Sequence, residues 1–315
     1  MQEIPMTRIA FDQPFPDYLA QSDVNASALR AGRRSMLHMA AAIAGQSKEP
    51  TTALRIGSAL HCAVLEPMRF ASVATVAPAV DRRTKEGKAT YAAWQAALPA
   101  DAMVLDSDEF DTVRQASTAL LASRFPSLLQ TGEAEVSIYW DETIDVDGTP
   151  QVIGCKARLD WLGHAAGGAL VIADVKTTRD ATPRAFARAC ATYGYAHQLA
   201  WYRRAVRALQ VSGDAPGGPI VIALGVVETE APYATGIYTI SDADLEDADR
   251  ENMHTLKRWA QAVRDDRFPG PAEMVQVLHL PEWTFDLRGV EPTAYKRPVG
   301  DIIDGADDFD ATIPF

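Results

Sequence analysis

The sequence predicts an α/β protein in which a sheet is flanked by helices and preceded by an N-terminal helical region. Two observations carry this reading. Up to Arg124 the longer apolar patterns recur at helical spacing, and from Ala134 they change to strand-like alternation. From there the order of elements reads strand, strand, strand, helix, strand, strand, helix.

In the N-terminal part, residues 25–45 and 54–66 read as helices and "SVATVA" (72–77) as a strand. "GKATYAAWQAAL" (87–98) and "DSDEFDTVRQASTALLASR" (106–124) read as helices, the second with acids in its first turn, where they complement the helix dipole. Then "AEVSIYW" (134–140) and "QVIGCKARLDWL" (151–162) alternate as strands joined through "DVDG", a hairpin signal. "ALVIADVK" (169–176) follows the turn-like "GHAAGG". A helical stretch runs from Pro183 to Leu209 with a break expected at Gly194. "IVIALGVVE" (220–228) and "GIYTI" (236–240) are strands, and Asp242 to about Arg264 is an acidic helix.

With 315 residues, 47% hydrophobic and 23% charged, the chain has the composition of a globular protein with a substantial core. No apolar run approaches the ~20 residues of a membrane span, and the N-terminus does not read as a secretory signal, so a cytoplasmic protein without membrane contact is expected. Cys62, Cys155 and Cys190 lack CxxC spacing and read as reduced thiols, too few for a four-cysteine cluster. The net charge of -12 argues against a nucleic-acid partner only if charge is evenly spread. It is not: from Lys176 to Gln210 there are seven basic residues against Asp180 alone, whereas acids gather at 242–251 and 301–310.

The chemistry begins at the end of "ALVIADVK". Asp174 and Lys176 project from the same face of a strand otherwise apolar on both faces, an expensive burial unless something uses them. In "GCKARLDWL", Lys156, Arg158 and Asp160 share one face, and Ala157, Leu159 and Trp161 share the other, which goes inward. A hairpin through "GHAAGG" brings Asp160 beside Asp174, and two adjacent carboxylates call for a cation between them. Mg2+ takes hard oxygen ligands, which Asp160, Asp174 and the Val175 carbonyl can supply. On its own, D-x-K is a common pattern, and an exposed Asp-Lys pair contributes only ~0–1 kcal/mol.

The combination of "RIGSALHCAVLEP" (55–67), "CKARLDWL" (155–162), "IADVKTTRDA" (172–181) and "YGYAHQLAWYRRA" (193–205) resembles the PD-(D/E)xK nuclease superfamily, and within it the RecE-type exodeoxyribonuclease VIII domain of phages and prophages. The resemblance runs from about Val24 to Leu280, includes "DRRTKEGKATYAAW" (81–94) and keeps the motifs in family order. It implies a restriction-endonuclease-like core, a central mixed sheet flanked by helices. The implied division is an N-terminal extension (1–23), an exonuclease domain (24–292) and a flexible acidic tail (293–315).

The resemblance also implies roles. His61, in the motif that starts at Gly57, matches a metal-site histidine; Asp160 and Asp174 match metal-binding and catalytic carboxylates, and Lys176 the catalytic lysine. Gln198 and Tyr202 match a Q-x-x-x-Y motif, whose spacing puts both on one helix face. Glu66, in the "LEP" that closes the same motif, also suits a helix end. The implied reaction is Mg2+-dependent hydrolysis of a phosphodiester, with Mn2+ able to substitute. It proceeds from 5' to 3' on linear double-stranded DNA and leaves 3' single strands for annealing-based recombination. Lys176 orients or deprotonates the attacking water, or stabilises the transition state. Lys156, Arg158, Arg179 and Arg203 are candidates for phosphate contacts, and Ser27, Arg33, Arg34 and Ser35 for a 5'-phosphate pocket. A ring-shaped trimer or tetramer is expected. The alternatives are a related nuclease of other polarity or substrate, and a non-catalytic DNA-binding scaffold on the same fold.

The chain ends in "DDFDATIPF", similar to the acidic tip of bacterial single-stranded DNA-binding proteins. Ile313, Pro314 and Phe315 are therefore candidates for docking a single-strand annealing protein or another tip-recognising partner.

Overall fold

The computed structural model describes residues 7–45, 51–99, 101–129, 131–165, 167–278, 280 and 284. The chain divides into two compact units, Met1–Glu273 and Met274–Phe315, and the fold described belongs to the first. Ile313, Pro314, Phe315 and the acidic segment before them lie outside the described residues. Among the described residues, no helix is long and apolar enough to cross a membrane.

A short strand, β1 (Arg8–Ala10), leads into α1 (Phe15–Ala20), α2 (Ala26–Gly32) and α3 (Met36–Ile43). The sequence reads as one helix over 25–45; the chain instead makes two, because Asn25 and Ser35 each cap a new start. The Asn25 side chain accepts from the Ala28 N–H and Ser35 Oγ from the His38 N–H. Next come α4 (Thr52–Leu65), α5 (Pro67–Val73), β2 (Ala74–Val76), α6 (Lys85–Ala96), β3 (Met103–Leu105) and α7 (Ser107–Leu121). Asp106 and Glu109 form a reciprocal capping box that starts α7, and Glu109 also binds Arg55 of α4, which ties the two helices together.

The central sheet contains β4 (Thr131–Val146), β5 (Thr149–His164), β6 (Leu170–Thr178), β7 (Ile220–Glu228) and β8 (Thr235–Tyr238), with β1 on its edge. The order β1-β4-β5-β6-β7-β8 is antiparallel throughout except between β6 and β7, so the sheet is mixed. The parallel pair needs a long crossover, supplied by α8 (Pro183–Tyr193) and α9 (Tyr195–Ser212). The two helices meet at Gly194, whose φ of 71° favours glycine, and an added Cβ there would lie 2.9 Å from Arg33 Nη2. The β4–β5 turn places Asp147 and Gly148 at positive φ, as "DVDG" predicts. The last helix is α10 (Asp242–Arg264).

Each face of the sheet packs on helices. On one, Ile138, Leu159 and Ile172 meet Leu199, Trp201 and Val206 of α9 and Leu256 of α10. On the other, Val171, Ala173 and Val175 meet Leu60 and Val64 of α4 and Leu120 of α7. Full burial of each large side chain contributes roughly 1.5–3 kcal/mol.

The alternation is not continuous along β4 and β5. Ala134 packs into the second core while Val136 and Ile138 enter the first, although all three have the same strand parity. The same switch separates Leu159 from Trp161, which contradicts the expectation that Ala157, Leu159 and Trp161 share one inward face. In β4 the switch falls at Glu135, held at a φ of 55°, and in β5 at Asp160, which stands opposite it in register.

Candidate active site

The site forms where β5 and β6 part. Their ladder pairs His164 with Leu170 through Trp161 with Ala173 and then stops. The next position in register sets Asp160 against Asp174, so the two carboxylates stand at the fork of the sheet. Strand pairing ends where their charges need other partners.

Those partners differ. Asp160 Oδ2 accepts the Val175 N–H at 3.1 Å and lies 3.0 Å from His61 Nδ1 on α4. Burial works to raise the Asp160 pKa, but His61, Lys176 and the Val175 N–H together hold it down to about 2. Asp174 is fully buried, with Lys176 Nζ 2.5 Å from its Oδ2. Oδ2 is thus paired with the ammonium, while Oδ1, equally buried, has no partner among the described residues. Burial first and Asp160 second push the Asp174 pKa up to about 6. Lys176 is itself buried, which works against its charge, yet Asp174 and Asp160 outweigh this and raise its pKa. His61 behaves likewise: burial opposes its charge, and Asp160 raises it.

α9 closes the site from the first face. Trp201 anchors the helix to β5 by donating Nε1–H to the Lys156 carbonyl at 3.0 Å. That fixes Gln198 and Tyr202, whose amide donates to the phenol at 2.7 Å. Tyr202 is buried, and burial, then Asp160 and Asp174, raise its pKa well above the ordinary phenol, so it stays neutral. The ring of Tyr195 lies 4.9 Å from Lys176 Nζ.

A divalent cation suits this donor set. Two carboxylates, one with a buried oxygen that has no partner among the described residues, match Mg2+, which commonly takes one or two carboxylates and completes its shell with waters and phosphates. Among the described residues, no group of three His, Cys, Asp or Glu is arranged to hold a metal by itself. His61 faces Asp160 through Nδ1, and Val175 contributes its N–H to the same carboxylate.

The basic candidates separate. Lys156 is buried and donates to the carbonyls of Tyr18 (2.7 Å) and Gln21 (2.6 Å), so it does not face a phosphate. Arg203 is buried and paired with Asp242 at 3.0 Å, and it too is withdrawn from DNA contact. In both cases a charge that the sequence assigns to the surface is consumed by a neighbouring element. Arg204 binds Glu142 and Asp249 and serves the same packing, so the basic segment from Lys176 to Gln210 is not one continuous surface. Arg179, Arg184 and Arg188 are exposed on the loop after β6 and on α8. Arg158 is largely buried, with 11% of its side chain exposed, and is held by Glu135 at 2.5 Å.

Ser35 Oγ is occupied as the cap of α3, whereas Ser27 and Arg34 are exposed. Arg33 lines a cleft of about 670 Å³ with Arg250, His254 and Arg258. Glu66 ends α4 and pairs with Arg69 at 2.9 Å. The residue that sequence reading misses is Glu135. In "AEVSIYW" it occupies an ordinary polar position of an alternating strand, and only its backbone conformation sets it apart.

The sequence matches no curated protein. A solved structure from Eubacterium rectale, described as "Putative exonuclease", is 15% identical with a TM-score of 0.52, covering 86% of this chain and 96% of that one. At that identity the likeness shows the fold alone. A second structure, of SSO0001, has 12% identity and a TM-score of 0.26, covers 72% of this chain and 84% of that one, and carries no argument. The model of the PDDEXK-like domain of unknown function (DUF3799) matches residues 25–281, and the chain, with its paired aspartates and lysine at the fork of a mixed sheet, belongs to that family.

Proposed function

We propose that the chain is a divalent-metal-dependent exodeoxyribonuclease of RecE type, acting from 5' to 3' on linear double-stranded DNA and leaving 3' single strands for annealing-based recombination. The observation that carries this reading is the convergence of His61, Asp160, Asp174 and Lys176 at one fork, with Oδ1 of Asp174 buried and without a partner among the described residues. A structural ion pair has no use for an acceptor left bare in the core, where it costs roughly 1–3 kcal/mol.

Asp174, Asp160 and the Val175 carbonyl would hold Mg2+ or Mn2+, which supplies Lewis-acid polarisation of the phosphate and a more acidic water. His61 orients Asp160 and keeps it ionised. Lys176, paired with Asp174, is placed as an ammonium to donate to water or to transition-state oxygens. Neutral Tyr202, held by Gln198, donates or accepts without adding charge beside the carboxylates. Arg179, Arg184 and Arg188 offer sequence-independent phosphate contacts.

The test is digestion of linear duplex labelled at either the 5' or the 3' end, with and without Mg2+. Release of the 5' label first, only with cation, supports the reading. Release of the 3' label first reverses the polarity, and no release under any divalent cation leaves a DNA-binding scaffold. A ring-shaped trimer or tetramer belongs to the same proposal, and a monomer in light scattering at working concentration removes it.

A further inference from the structure

The geometry points to Glu135 as a positioning residue of this site, one that fixes Arg158 so that its remaining guanidinium nitrogen meets a phosphate of the bound strand. The inference rests on the nuclease reading above and adds a residue and a contact to it.

Three observations meet at Glu135. Its backbone is in the left-handed region at a φ of 55°, a conformation that costs a non-glycine residue on the order of 1 kcal/mol or more and persists only where the surroundings impose it. Its register is fixed by its neighbours: Ala134 pairs with Trp161 and Val136 with Leu159, so Glu135 stands opposite Asp160. Like charges directly opposed across strands repel, and burial, then Asp160, raise the Glu135 pKa. The strand thus carries strain and charge repulsion at the same residue, beside the catalytic carboxylate.

What Glu135 gains there is Arg158. Its Oε2 accepts from Arg158 Nε at 2.5 Å, while Arg158 Nη1 donates to the Gln13 carbonyl at 2.7 Å and to Ser137 Oγ at 3.2 Å. Two of the three guanidinium nitrogens are therefore committed, by β4 and by the segment between β1 and α1. Nη2 has no acceptor among the described residues and is not among the buried unsatisfied atoms. A planar guanidinium held along one edge presents its free N–H donors in a fixed direction. Arg158 sits two residues before Asp160 in β5, close to where a strand bound at the carboxylates would lie. If the pair served only to neutralise charge, the mild alternative of a polar residue with ordinary strand φ at position 135 would do so without the strain.

The test uses the full-length protein and a 5'-phosphorylated linear duplex, with affinity measured in EDTA so that nothing is cut. Glu135→Gln keeps the volume and removes the charge. It should weaken duplex affinity about fivefold to tenfold, flatten the salt dependence of binding, and raise KM more than it lowers kcat. In an Arg158→Ala background the same change should alter affinity less than twofold. Glu135→Asp, with the charge kept, should recover part of the loss. An equal loss with and without Arg158 overturns the proposal, as does wild-type affinity in Glu135→Gln. A fall in melting temperature with no change in affinity assigns Glu135 to strand geometry and also overturns it. Failure of the nuclease reading looks different: the wild-type protein itself would neither bind nor cut the duplex.

Discussion

Lys176 Nζ lies 2.5 Å from Oδ2 of Asp174, and both side chains are withdrawn from solvent at the fork of β5 and β6. A buried ion pair is weak evidence for stability and strong evidence for use, since apolar residues of similar size often pack as well. Lys176→Met should therefore abolish cleavage, by ~100-fold or more, while duplex affinity stays within about threefold. Asp160→Ala and Asp174→Ala should do the same. Gel-based cleavage beside fluorescence anisotropy checks this, and near-normal turnover in any of the three removes that residue from the mechanism.

The Asp174 carboxyl titrates at about 6 in the folded protein, against 3.8 in an unfolded chain. Its folded pKa is the higher one, so the folded state holds the extra proton between those values, and stability falls as pH rises from about 4 through 6. Asp160, held at about 2, acts in the opposite sense but only below about pH 4. Cation-free protein should thus lose melting temperature as pH rises from about 4 to about 6, and Asp174→Asn should flatten that slope. Added Mn2+ should restore the loss increasingly as pH passes 6, because the ligand must be deprotonated. A cation effect independent of pH would contradict the assignment of Asp174.

Arg203 and the arginines of α8 should part company. Arg203→Ala leaves the exposed basic surface intact but removes the partner of Asp242, so melting temperature should drop while DNA affinity holds. Arg184→Ala with Arg188→Ala should weaken binding uniformly across sequences and reduce the logarithmic salt slope by about one to two. Binding isotherms at three salt concentrations separate the two cases.

Trp201 is fully buried, bonds Lys156 and packs at 4.9 Å from the Trp140 ring, so it joins α9 to the sheet as well as placing Gln198 and Tyr202. Trp201→Ala should cost about 3–5 kcal/mol by chemical denaturation. Trp201→Phe should keep most stability and lower kcat, since it loses the anchor to β5.

Deletion of Ile313–Phe315 should abolish binding of a single-strand annealing protein or other tip-recognising partner and leave exonuclease rates unchanged. An immobilised peptide of the last nine residues checks this by surface plasmon resonance at low salt, with ~micromolar affinity expected for so short a segment. No binding to either class of partner ends the docking idea.

The order of sheet elements from β4 to β8, the hairpin at "DVDG", the break at Gly194 and the ordered motifs around His61, Asp160, Asp174 and Lys176 were legible in the sequence, because turn chemistry and side-chain period act over a few residues, whereas the edge strand β1 was not. Tertiary structure decided the rest. The helix expected over 25–45 split because two side-chain caps competed with its apolar period. Lys156 and Arg203 look like surface charges until α1 covers the first and Asp242 of α10 meets the second, contacts that no local pattern encodes. Trp161 and Leu159 lie in different cores, as do their partners Ala134 and Val136 across the ladder, and the positive φ of Glu135 at that switch leaves no mark on the composition of the strand. Which residues carry charge is written in the chain; which of those charges remain free depends on the elements packed against them.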